Sequence, residues 1–141
     1  PVDKGEVVDV PKDTPQSEYE KEVVRLTNVE RQKAGLSALK SDDENLNRSA
    51  MAKSQDMQQT GNFSHNSAKY GTPFEMMKTF GVTYSYAAEN IAQGQKTPAE
   101  VVKAWMNSSG HRANILNGKL THIGVGYDSN GSYWTQQFIG K

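Results

Sequence analysis

The chain has 141 residues, with 16 Lys plus Arg balanced by 16 Asp plus Glu, so no excess positive field gathers phosphates and no nucleic acid is expected as a partner. No run approaches the roughly 20 apolar residues that cross a bilayer, and the lack of any cysteine excludes disulfides, thiol nucleophiles and thiolate metal sites. A chain of this length buries about 70% of its surface on folding and reads as one domain, with a monomer as the expected state.

Pro1 to Gln16 carries three prolines among charged and small residues without a helical or strand period, and it reads as an extended or disordered linker. It opens without Met or an apolar signal core, as a processed form or fragment would. The domain is expected over Ser17 to Lys141. From Ser17 the pattern turns helical, with Tyr19, Val23, Leu26 and Val29 or Glu30 as the inward stripe and Gly35 as the stop. A second helix is expected from about Asp42 to Thr60, turning Leu46, Ala50, Met51 and Met57 inward and ending at Gly61.

Thr72-Pro73-Phe74-Glu75 and Thr97-Pro98-Ala99-Glu100 both place a hydroxyl, a proline at the first helical position and a carboxylate at the third, so each predicts a capping box opening a helix. The first helix should run to Phe80, and the second through Val101, Val102, Trp105 and Met106. His111 to Leu116 adds one more helical turn. The period then drops to two: Ile123, Val125 and Tyr127 share one face, Asp128-Ser129-Asn130-Gly131 supplies a turn, and Ser132 to Ile139 pairs back as a hairpin. Tyr84 to Ala92 reads as a third strand against it. Helices around a small antiparallel sheet make an α+β layered domain.

Two of the three histidines, His65 and His111, stand just past helix ends, where ligands and catalytic groups are commonly held. Between them Glu89 sits in Ala88-Glu89-Asn90-Ile91-Ala92, an acid flanked by apolar residues that is expensive to bury unless its charge is met. Two imidazoles and a carboxylate in one cleft would meet it, either as a zinc set or as a hydrogen-bonded acid/base cluster. Trp105 and Trp134 read as core or cleft-wall aromatics. Asn28 and Asn114, poor helix formers placed in helical segments, read as amides that satisfy neighbouring backbone. His122 shares a strand face with Gly124 and Gly126 and is a weaker third nitrogen donor. Ser64, Ser108 and Ser109 lie beside histidines in sequence, without the Gly-x-Ser-x-Gly elbow of a serine hydrolase.

In order, the chain shows Leu26-Thr27-Asn28-Val29-Glu30-Arg31-Gln32-Lys33-Ala34-Gly35-Leu36, Phe63-Ser64-His65, Ala88-Glu89-Asn90-Ile91-Ala92, Trp105 through Asn107-Ser108-Ser109-Gly110-His111 to Leu116, and Ile123-Gly124-Val125-Gly126-Tyr127. This series resembles the bacterial CAP superfamily, the group of cysteine-rich secretory proteins, antigen 5 and plant pathogenesis-related proteins, across about Ser17 to Lys141. The resemblance implies an α-β-α sandwich, an extracellular or cell-envelope location, and a cleft of two histidines and two glutamates, the histidines taking zinc in several members. By motif, His65 and His111 are the histidine pair and metal ligands, and Glu89 is the first glutamate. The second is absent: Ser108 stands at its position, and Glu75 is the nearest substitute carboxylate.

Two functions stand open on sequence grounds. One is a binding module whose cleft takes Zn2+ or another divalent cation and a small or lipid-like ligand, or an envelope or protein partner. The other is a metal-dependent peptidase or esterase, with zinc on the histidine pair and Glu89 as the base for a bound water.

Overall fold

A computed structural model of the chain describes Ser17 to Lys141; the expected linker over Pro1 to Gln16 lies outside the described residues. Helix starts follow local side-chain chemistry. In α1 (Glu18–Lys33) the Ser17 hydroxyl accepts from the Glu20 amide while the Glu20 carboxylate takes the Ser17 amide, a capping box not anticipated from sequence. Asp43 caps α2 (Glu44–Thr60), which ends at Gly61 with φ +71°, a conformation that favours glycine. Thr72 and Glu75 form the expected box of α3 (Pro73–Thr79). At α4 (Pro98–Met106) only half of it forms: the Thr97 hydroxyl accepts from the Glu100 amide, but the Glu100 carboxylate reaches past Thr97 to the Lys96 amide. A further short helix, α5 (Ser109–Ile115), follows.

The described strands β1 (Tyr86–Gln93), β2 (His122–Asp128) and β3 (Tyr133–Gly140) form one antiparallel sheet in the order β1-β3-β2. Register pairs Glu89 with Gln137, Asn90 with Gln136 and Ile123 with Phe138. Because side chains alternate faces along a strand, β3 divides its contacts between two layers. Thr135 hydrogen-bonds Ser54 of α2 at 2.8 Å, and Ile139 packs with Leu46. On the other face Gln136 donates to Thr27 of α1 at 2.8 Å, while Trp134 and Phe138 join Val23, Val101 and Trp105. The sheet therefore lies between α2 and the α1/α4 pair, the α-β-α sandwich expected. Trp105 and Trp134 are both fully buried in this second core.

The inward stripes differ from the apolar ones read from sequence. The buried face of α1 is Glu20, Val23, Thr27 and Arg31, with Tyr19 exposed and Leu26 only partly covered. The polar members are drawn in because backbone groups wait for them: Glu20 accepts from the Tyr127 amide, and Arg31 donates to the carbonyls of Ser37, Ile115 and Asn117. On α2 Met51 is half-buried, while Lys53 and Ser54 are fully buried.

The α2 layer presses directly on strand backbone. A Cβ on Gly124 would lie 2.6 Å from the Leu46 carbonyl oxygen, and one on Gly126 closer still to that of Ala50. Gly126→Ala therefore forces backbone apart and should cost about 1–3 kcal/mol or more. Gly118→Ala, where a Cβ would meet only Leu36 at 3.5 Å, should stay within about 0.5 kcal/mol. Urea unfolding of both variants measures the difference, and equal midpoints would contradict this account of the packing.

Candidate functional site

The site grows from one buried carboxylate. Glu89 lies on β1 with its side chain only 2% exposed, on the α2 face of the sheet beside its register partner Gln137. Its two oxygens are separately engaged: Oε2 accepts from Gln137 Nε2 at 2.8 Å, and Oε1 meets His65 Nδ1 at 2.8 Å. Since an ionised carboxylate only accepts, Nδ1 is the donor whenever Glu89 is ionised, and Nε2 is the ring nitrogen that Glu89 leaves unengaged. The His65 side chain is 51% exposed, so the ring borders solvent-accessible space.

His65 sits in the irregular segment after α2, and the helix itself fixes it there. Lys53, one of the most buried side chains on α2, donates from Nζ to the His65 carbonyl at 3.0 Å. Burial pushes the Lys53 ammonium below its ordinary value, while the carboxylates of Glu89 and Asp56 pull it back up. One cation thus balances the buried acid and ties down the backbone that presents the imidazole.

His111 approaches from α5. Its Nδ1 pairs with Ser108 Oγ at 2.9 Å, and its carbonyl accepts from Asn90 Nδ2 at 3.1 Å. Burial lowers its pKa, and the charge of His65 lowers it further, which makes the two rings electrostatic neighbours. Neither Nε2 takes a protein partner among the described residues. Ser108 leaves the helix terminus uncapped, its hydroxyl serving the imidazole instead.

His65 and Glu89 are therefore in direct contact, and His111, with Ser108 on its Nδ1, is tied through its carbonyl to Asn90, the residue after Glu89 on β1, while two other expected members lie elsewhere. Glu75 is spent on the Thr72 capping box and is exposed, so it supplies no substitute acid. His122 lies on β2, pairs with Thr121 Oγ1 at 2.7 Å and approaches Asp42 at 3.6 Å, and lines a different cavity of ≈ 520 Å³. Among the described residues no set of three His, Asp or Glu side chains converges to hold a metal.

Three supporting residues escaped the sequence reading. Lys53 continues the spacing of Leu46, Ala50 and Met57, a helical phase that could have revealed it. Gln137 and Asn90 could be found only through strand register. Asn114 does satisfy backbone, donating to the Glu89 carbonyl at 3.3 Å and to Asn90 Oδ1 at 2.9 Å. Asn28 likewise holds both backbone groups of Leu39. A cavity of ≈ 410 Å³ opens beside Glu89, with His65 and Asn114 on its polar side and Pro73, Phe74 and Ala87 among its apolar walls.

Comparison with known proteins gives this arrangement a family. Residues 24–138 match the model of the cysteine-rich secretory protein family, CAP. The chain belongs to the CAP family. YkwD of Bacillus subtilis (strain 168) is 66% identical over 125 residues, which are 89% of this chain and 48% of that protein. An extracellular protein containing a SCP domain from Bacillus anthracis str. Ames matches at TM-score 0.82 and 32% identity, over 92% of this chain and 45% of that one. An outer surface protein from Borrelia burgdorferi shares the fold at TM-score 0.81 and 21% identity, over 91% of this chain and 96% of that one. This CAP domain thus spans about half the length of the two Bacillus proteins it matches.

His111 supplies a test of the site's electrostatics. Its folded pKa lies below the ordinary 6.5, so its contribution to stability is complete above pH 6.5 and is lost as pH falls through the folded value. NMR titration of the CAP domain should find the His111 ring ionising below 6.5. In His65→Ala the value should climb part of the way back, because burial remains after the repulsion is removed. A wild-type value at or above 6.5 would contradict the crowding of the two rings.

Proposed function

We propose that this CAP domain is an extracellular binding module whose cleft takes a divalent metal on His65 and His111 together with a small apolar or lipid-like ligand. The observation that carries it is the chain from Gln137 through Glu89 to His65. A buried acid fixes the tautomer of an exposed imidazole and leaves Nε2 as the donor, the support that metal-ligating histidines usually receive. His111 adds a second Nε2, and the Ser108 hydroxyl, able to donate or accept, suits either tautomer of that ring. Depression of the His111 pKa keeps the ring neutral, and so able to ligate, to lower pH.

Two protein nitrogens fit a site completed by solvent or by the ligand itself, whereas catalytic zinc usually has three protein ligands. A bound metal would supply Lewis acidity at the cleft floor. Glu89 is poorly placed as a general base, because Gln137 and His65 occupy both of its oxygens and its side chain is closed from solvent. Its role is to orient His65. The extracellular location is supported by the extracellular and outer-surface descriptions of the structural relatives.

Zinc titration by calorimetry should show one site, weakened by at least ~10-fold in His65→Ala and in His111→Ala. Glu89→Gln, which keeps a hydrogen-bond acceptor but loses the charge, should weaken zinc by roughly 10-fold or more without abolishing it. Wild-type affinity in both histidine variants would remove the metal from this reading.

A further inference from the structure

We infer that the ≈ 410 Å³ cavity beside Glu89 receives an extended, uncharged peptide segment that adds to the free edge of β1 as a short fourth strand. This rests on the ligand-binding reading of the cleft and names the class of ligand. The first support is topological. Ala87, Ala88 and Glu89 are consecutive and all line the cavity, yet neighbouring side chains of a strand point to opposite faces. One cavity touches all three by running along the strand's edge. Among the described residues that edge is free of strands, since β1 is bonded to a strand on one side only, to β3.

The second support is the phase of the backbone hydrogen bonds. The Ile91 carbonyl accepts from Trp105 Nε1 at 3.1 Å and the Glu89 carbonyl from Asn114 Nδ2 at 3.3 Å, so the odd-numbered residues of β1 turn their amides outward. Side-chain donors stand in for a partner strand over that half of the edge. Two residues earlier the same phase falls on Ala87, a residue lining the cavity, so alternation along the ladder turns its amide and carbonyl away from β3, and outside the sheet's own ladder they bond no other described residue. The far edge of the sheet is closed differently: β2 is bridged by Lys40, whose carbonyl accepts from the Ile123 amide. Around Ala87 the chain therefore leaves a donor and an acceptor spaced as only another peptide backbone matches them.

The third support is charge and surface. Among the described residues the lining includes no Lys or Arg, and its one carboxylate, Glu89, has both oxygens engaged elsewhere, so a phosphate or free carboxylate meets no fixed cation from them. Pro73, Phe74, Ala87 and Ala88 form apolar walls, and Phe74 and Tyr86 stay exposed beside the edge. Small apolar side chains alternating along a neutral backbone suit such walls.

The test titrates the 15N-labelled full chain with acetyl-Ala-Val-Ala-Val-Ala-amide and with its fully N-methylated analogue, following amide shifts. Ala87, Ala88 and Glu89 should move, and the N-methylated peptide should bind at least ~10-fold more weakly, because it cannot donate to the edge. Ala87→Pro removes the outward N–H and leaves the bonds to β3 intact, so it too should weaken the parent peptide by at least ~10-fold, with melting temperature and zinc titration confirming its fold. Equal binding of the two peptides, shifts centred on β2, or no binding in the millimolar range would each overturn the proposal. Concentration-dependent broadening at Ala87 without peptide would also overturn it, by assigning the edge to a second copy of the chain. Loss of zinc binding in a chain that still takes the peptide counts against the metal reading alone.

Discussion

The carboxylate of Glu89 is the constraint around which the site and the middle of the sheet are arranged. A buried carboxylate without partners costs several kcal/mol, so the fold has to bring partners to it. They come from different layers: Gln137 from the adjacent strand, Lys53 from the helix above, and His65 from the segment beyond that helix. None is a sequence neighbour of Glu89. Satisfying one charge thus fixes the register of β1 on β3, the rotation of α2 and the position of the exposed imidazole together.

Much of the architecture was legible because it is encoded locally. Thr72-Pro73-Phe74-Glu75 announces a helix by its own hydrogen bonds, and the alternation from Ile123 to Tyr127 announces a strand. What was illegible depends on tertiary partners. Arg31, Thr27 and Glu20 lie on the inward phase of α1, yet apolar periodicity passes over them, since their burial is justified by carbonyls and amides contributed from more than eighty residues away. Lys53 is passed over because its partner, the His65 carbonyl, lies in the irregular segment after the helix. The half-formed box at Thr97 shows a local signal yielding to a competitor one residue upstream. At the site, Glu89 was conspicuous for its apolar flanks, whereas Glu75 was ambiguous, because a capping carboxylate and a cleft carboxylate look alike until the backbone is placed.

The family takes its name from cysteine, and this member has none. Its layers are joined by a seam of buried polar contacts. Ser54 meets Thr135, Asn90 meets Gln136, and Gln136 meets Thr27, each worth about 1 kcal/mol net and together demanding one register. Arg31 extends the seam to the helix ends, placing a guanidinium against the last carbonyls of α5, where a cation complements the negative end of the helix dipole. Such contacts select one packing more sharply than apolar burial does, because a slipped register leaves donors and acceptors orphaned.

The bare backbone at Gly124 and Gly126 sets how near α2 comes to the sheet. The same helix, a turn further along, carries the ammonium that grips the His65 carbonyl. Helix and imidazole are therefore linked through one face of α2: the carbonyls of Leu46 and Ala50 rest on two missing side chains, and Lys53, next along that face, holds the backbone that aims the cleft's exposed ring.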